Sequence, residues 1–179
     1  MSHRMRYFVI PKWKMVIGAP PKCGSTSIKM SLIHEKVDYE MKYAHQLPKG
    51  LPVYFIVRHP LDRFKSLWRF RCVPGGDLVH GTGDDLHGMT PEQFWRFVRK
   101  APADQHWMQQ TTLLEDLQVT LVKMQHIQEW WHSTPSKRPL LCYNSTSSRI
   151  DETFSAELEA AINKYYDADV RLYEVAGHG

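Results

Sequence analysis

Long apolar runs are missing from this chain. The longest, Met15–Ala19 and Val53–Val57, are strand-sized, well short of the roughly 20 residues that a membrane-spanning helix needs. The basic start Met-Ser-His-Arg-Met-Arg leads into a stretch broken by Pro11, Lys12 and Lys14, which is not the apolar core of a signal peptide. Together these absences predict a cytoplasmic protein with no membrane span. Cysteine is also scarce. Cys23, Cys72 and Cys142 are odd in number and far apart, which argues against a disulfide framework or a zinc site and for reduced thiols. Charge of one sign is in small excess, net +4; that suits an anionic ligand but is too weak to imply nucleic acid as a partner. No repeat, low-complexity tract or linker divides the 179 residues, so residues 1–179 read as one domain with room for a core.

What is present alternates between strand and helix. Tyr7–Ile10 and Lys14–Ile17 read as short strands around Pro11, and Val37–Met41 as another. Pro52–Val57 is continuously apolar, the pattern of a central parallel strand buried on both faces. Leu61–Cys72 reads as a helix with Leu61, Phe64 and Trp68 on one side. Thr90-Pro91-Glu92-Gln93 supplies a capping box with proline at the first helical position, opening a helix to about Lys100. Val119–Val122 reads as a strand, with a helix following through Trp131, and Ser155–Tyr166 as a helix on the spacing of Leu158, Ala161, Ile162 and Tyr165. The alternation predicts an α/β fold: a three-layer α/β/α, P-loop-like domain with a central, mostly parallel sheet.

The segment from Gly18 to Ser27 carries the first chemical signal. A strand ending in a small-residue loop that turns into a helix aims backbone N–H groups and the positive end of the helix dipole at one place. Gly18 and Gly24 are expected to let the backbone approach an anion. Ser25, the expected cap of a helix to about Lys36, joins Thr26 and Ser27 in offering hydroxyls, and Lys22 a full charge. A nucleoside-triphosphatase loop places lysine directly after its second glycine; here Ser25 follows Gly24, and Lys22 stands two places before it. No strand ends in an aspartate clearly suited to magnesium. The pattern favours phosphate or sulfate over ATP, against the bland alternative of a plain turn.

Arg58 follows the strand Val53–Val57 directly, at the carboxyl end where open α/β sheets bind ligands. With Ser66, in the next helix, its fork could hold a second phosphate; the alternative is an Arg58–Asp62 surface pair beside a neutral Ser66.

The run Pro21-Lys22-Cys23-Gly24-Ser25-Thr26, followed by Val57-Arg58-His59-Pro60-x-x-Arg63-x-x-Ser66, resembles the two nucleotide-binding signatures of sulfotransferases, which use 3′-phosphoadenosine 5′-phosphosulfate (PAPS) as donor. Asp104-Gln105-His106-Trp107-Met108-Gln109-Gln110, and a stretch from Asn144-Ser145 to Tyr165-Tyr166-Asp167-Ala168-Asp169, look like elements of the carbohydrate branch, and a short, soluble member without the anchor of the Golgi enzymes is expected. The resemblance implies that Pro21, Lys22, Cys23, Gly24, Ser25, Thr26 and Ser27 hold the 5′-phosphosulfate and that Arg58 and Ser66 hold the 3′-phosphate. Arg149, near Ser147 and Ser148, is a looser addition to that second site. The implied reaction moves a sulfuryl group to an acceptor hydroxyl, on a carbohydrate or small molecule, and leaves 3′,5′-adenosine bisphosphate. Lys22 would stabilise the leaving oxygen, and the scheme requires no metal. The rival readings are a nucleotide kinase using ATP and a non-catalytic nucleotide-binding domain.

The acceptor hydroxyl needs a base, and histidine is the usual choice. His45, in the loop before the Pro52–Val57 strand, stands where related carbohydrate enzymes carry a catalytic histidine, and is placed first. His106 is second, with a structural hydrogen-bonding role as its alternative. Residues 74–89 hold five glycines and read as a long surface loop, a candidate lid. His80, Asp84, Asp85 and His87 there read as polar loop chemistry rather than a metal site. Trp107, Trp130 and Trp131 could stack on a sugar but read as core. Cys23, in an anion loop, is expected to have a depressed thiol pKa and to serve as a spacer rather than a nucleophile.

Overall fold

The computed structural model describes residues 5–73, 86–143 and 153–177. Its described elements are β1 (Arg6–Ile10), β2 (Met15–Gly18), α1 (Ser25–His34), β3 (Glu40–Tyr43), β4 (Val53–Val57), α2 (Pro60–Cys72), α3 (Pro91–Lys100), α4 (Gln110–Leu114), β5 (Thr120–Lys123), α5 (Ile127–Ser133), α6 (Ala156–Tyr165) and α7 (Asp167–Val175). The strands form one sheet in the order β3-β1-β2-β4-β5. The β2–β4 and β4–β5 pairs are parallel, whereas β1 runs against both its neighbours, β2 and β3. The sheet is therefore mixed, which corrects the expectation of a mostly parallel one. The reason is local. Between β1 and β2 lie only a 3₁₀ turn, Pro11–Trp13, and Lys14 in the left-handed region at φ 51°. Parallel neighbours need a crossover of about a dozen residues, so this connection permits only a hairpin.

Alternation along the strands divides the core into two faces. Phe8, Ile10, Met15, Ile17 and Ile56 pack beneath α1 and α5, with Ile28, Leu32, Trp130 and Trp131. Tyr7, Val9, Val16, Phe55 and Val57 pack on the opposite face against Leu113 and Leu114 of α4 and Leu172 and Tyr173 of α7. Three layers result. β4 is the doubly buried strand that its apolar run predicts, with Phe55, Ile56 and Val57 fully enclosed. A third cluster, built from α2, α3 and α6, buries Phe64, Trp68, Phe94, Trp95 and Ile162 beside the sheet. Trp107, Trp130 and Trp131 are all buried, so the core reading of the tryptophans holds. The Thr90 capping box forms as its sequence requires, Gln93 N donating to Thr90 Oγ1 and Thr90 N to Gln93 Oε1.

The carboxyl ends of β2, β3 and β4 and the amino end of the reversed β1 share one edge of the sheet. Gly18, Arg58, Tyr43 and Arg6 consequently converge there. That edge carries the candidate site.

Candidate active site

β2 ends at Gly18, and residues 19–24 turn the chain into α1. Lys22 and Gly24 both lie in the left-handed region, at φ 68° and 82°. The helix cap is Gly24, not the expected Ser25, which is the first helical residue. The difference matters chemically. A glycine cap brings no side-chain oxygen, so the N–H groups of the first turn are left for an external acceptor. The first intrahelical bond runs from Ile28 N to Gly24 O, at 3.0 Å. The two glycines serve packing as well. A Cβ at Gly18 would lie 2.6 Å from the Tyr7 ring and 2.8 Å from Phe55, and one at Gly24 would lie 3.1 Å from Ile127 and 3.2 Å from Met124. Gly18 is thus set by two aromatic rings of the sheet rather than by an anion.

The loop is tied to the end of β4. Arg58 donates through one guanidinium nitrogen to Lys22 O at 3.0 Å, so the arginine reaches the loop and not Asp62. Gln110, fully buried at the start of α4, grips the same junction. Its Oε1 accepts from Arg58 N (3.0 Å) and from the Cys23 thiol (3.3 Å), while its Nε2 donates to Arg58 O (2.8 Å). Asp169 of α7, also fully buried, accepts from Gln110 N, Thr111 N and Thr111 Oγ1 at 2.8, 2.9 and 3.1 Å and so caps α4. Burial pushes the Cys23 thiol up to about 11 despite Arg63 and Arg58 nearby. That overturns the expectation of a depressed thiol pKa; desolvation outweighs both guanidinium charges.

Arg63 joins a second segment to the loop. Its guanidinium is buried, donating from Nε to Pro21 O (3.2 Å) and from its two terminal nitrogens to Met108 O (2.7 Å) and Gln105 O (2.8 Å). The turn from residue 104 to 108 is therefore pinned from behind, with Tyr166 donating to Trp107 O as well. On that turn Asp104 Oδ1 accepts from His106 N at 2.8 Å and lies 2.5 Å from His106 Nδ1. The His106 contact holds the Asp104 carboxyl below its ordinary range against the opposing cost of burial. A cavity of about 550 Å³ opens in front, lined by Pro21 and Ser25 of the loop, Gln105 and His106 of the turn, and Arg6 and Tyr43 of the adjoining strands.

Only some of the expected site residues are brought together. Pro21, Lys22, Cys23, Gly24, Ser25 and Arg58 share one connected loop system, joined through Arg63 to His106. Thr26 is exposed on the first turn of α1. Ser66 is half-buried on α2, one turn before Phe70, over whose ring the Lys22 ammonium lies at 3.6 Å from the centroid. Ser27 is turned inward and accepts from Tyr143 N at 3.1 Å, which fastens α1 to the chain beyond Leu140. His45 is exposed in the turn after β3 and stacked on Tyr43, ring centroids 6.0 Å apart. Arg149, Ser147 and Ser148 lie outside the described residues, as do His80, Asp84 and Asp85 and most of the glycine-rich loop. The roles of Asp104, Gln110 and Asp169 were not legible at the sequence level, although all three stand within the stretches quoted above. Only Asp104, two residues from His106, carried a local signal.

A model of the sulfotransferase family matches residues 32–135. That is more than half of the 179 residues, and the chain belongs to the sulfotransferase family. The matched span contains Arg58, Arg63, Ser66, Asp104, His106 and Gln110; the β2–α1 loop precedes it. No curated protein and no solved structure matches the chain. No described helix is long and apolar enough to cross a membrane.

Proposed function

We propose that this protein transfers a sulfuryl group from PAPS to an acceptor hydroxyl on a carbohydrate, leaving 3′,5′-adenosine bisphosphate. The observation that carries the reading is the bond from Arg58 to Lys22 O, which joins the two segments that resemble the donor signatures. The donor set suits phosphate and sulfate oxygens, which only accept: first-turn N–H groups without a side-chain cap, the Ser25 and Thr26 hydroxyls, and the Lys22 ammonium. In this reading residues 21–27 hold the phosphosulfate, Ser27 through its backbone because its hydroxyl serves Tyr143. Arg58, with guanidinium nitrogens beyond the one on Lys22 O, and Ser66 hold the 3′-phosphate, with Arg149 as a further contact. Bound PAPS supplies the sulfuryl group; Lys22 stabilises the negative charge that gathers on the leaving oxygen.

The base is His106 in preference to His45. His106 lines the cavity beside Pro21 and Ser25, whereas His45, the second choice, is exposed and stacked on Tyr43. The three free thiols support a reducing compartment, the cytoplasm. The test is transfer of labelled sulfate from PAPS across a panel of carbohydrate and small-molecule acceptors. Lys22→Ala is expected to lower the rate by on the order of 10²- to 10³-fold; a rate equal to wild type contradicts the role of Lys22.

A further inference from the structure

We propose that Asp104 is a positioning residue that fixes the tautomer of His106, with the proton on Nδ1 and the lone pair of Nε2 turned to chemistry. The proposal rests on the reading of His106 as base. Its support is geometric. A single carboxylate oxygen, Asp104 Oδ1, receives the backbone N–H of His106 at 2.8 Å and stands 2.5 Å from its Nδ1. Main chain and ring of one residue are thus held by one acceptor, which sets ring orientation as well as position. An ionised carboxylate only accepts, so the neutral ring must place its proton on Nδ1. The carboxyl is kept ionised to lower pH by that bond and, more weakly, by the Arg71 guanidinium.

The turn beneath is rigid enough for the pairing to matter. Trp107 N and Met108 N both donate to Asp104 O, at 3.1 and 2.8 Å, and Arg63 fixes Gln105 O and Met108 O from behind. His106 lines the cavity that also holds Pro21 and Ser25. With Nδ1 committed, Nε2 is the atom that takes the acceptor's proton as its oxygen forms the new bond to sulfur and the old sulfur–oxygen bond breaks. The proton leaves the hydroxyl for Nε2, and the electron pair of the broken bond stays on the departing phosphate. Asp104 remains a carboxylate throughout and stabilises the imidazolium that forms.

The test uses the full chain labelled with ¹⁵N-histidine, observed by long-range proton–nitrogen NMR at a pH where the ring is neutral. The His106 signals are identified by their loss in His106→Gln. Wild type is expected to show a protonated Nδ1 and an unprotonated Nε2. In Asp104→Ala the order reverses, and sulfate transfer to the same acceptor panel falls by on the order of 10²-fold. Asp104→Asn, whose amide oxygen can still accept from Nδ1, keeps the wild-type tautomer and recovers part of the rate. Affinity for 3′,5′-adenosine bisphosphate stays as in wild type in both variants. An unchanged tautomer in Asp104→Ala overturns the proposal, and so does a reversed tautomer without loss of rate. If His106→Gln transfers at full rate, the base reading fails and takes the positioning role with it, even where wild type and Asp104→Ala show the expected tautomers.

Discussion

Arg63 shows how much one side chain can organise here. A buried guanidinium is expensive to desolvate, yet this one is answered by three backbone carbonyls, those of Pro21, Gln105 and Met108. Arg63→Lys keeps the charge and loses the fork, so at most part of that set survives. We expect a loss of about 3 kcal/mol in chemical denaturation and weaker bisphosphate binding, because the β2–α1 loop and the His106 turn lose their common tie. The cysteines divide by burial. Cys23 and Cys72 are enclosed, with thiols pushed up to about 11 and about 12, while Cys142 is exposed. Iodoacetamide at neutral pH should modify Cys142 alone, as mass spectrometry would read; labelling of Cys23 in the native protein would contradict the packing of Gln110 against it. Asp104 sets the acid side. Its carboxyl is held below the ordinary range in the folded chain, so its contribution is complete above the unfolded value and is lost as pH falls through the folded one. In Asp104→Asn that part of the acid destabilisation disappears, which the melting temperature followed against pH would show.

Among the elements, what could be read in advance was what is closed locally. Thr90-Pro91-Glu92-Gln93 announces α3 because both partners of the capping box lie within four residues, and Thr90→Ala should cost about 1 kcal/mol. The strand β4 was legible from five consecutive apolar residues, and the β2–loop–α1 unit from its small residues. α4 is the opposite case. It has five residues, and its N-terminal N–H groups are satisfied by Asp169, 59 positions away from Gln110. No local pattern encodes that partner. α7 delivers a buried carboxylate to the start of this helix, and through Gln110 that carboxylate is linked to Arg58 and Cys23. Asp169→Ala is expected to destabilise the fold by about 2 kcal/mol and to weaken bisphosphate binding more than the Thr90 substitution does. Equal binding in the two variants would break the proposed link from α7 to the donor site.

For the molecule as a whole, layer count and class followed from alternation of strand and helix, but strand order did not. β1 lies between β2 and β3 and runs against both, a consequence of a connection too short for a crossover. Its reversal is what brings Arg6, at the start of β1, beside Tyr43, at the end of β3, across the cavity from the loop. The same long-range assembly explains why His106 and not His45 shares that cavity with Pro21. Position in the chain placed His45 near the central strand; the tie that brings in His106 is a buried arginine from another helix.

On the proposed function, the edge where these segments meet receives a 3′-phosphorylated adenosine nucleotide and not a triphosphate. Calorimetric titration of the full chain with 3′,5′-adenosine bisphosphate and with ATP, each with and without magnesium, separates the two. The bisphosphate is expected to bind more tightly, independently of magnesium, and more weakly in Arg58→Ala and Ser66→Ala than in wild type. Tighter, magnesium-dependent binding of ATP would contradict that function.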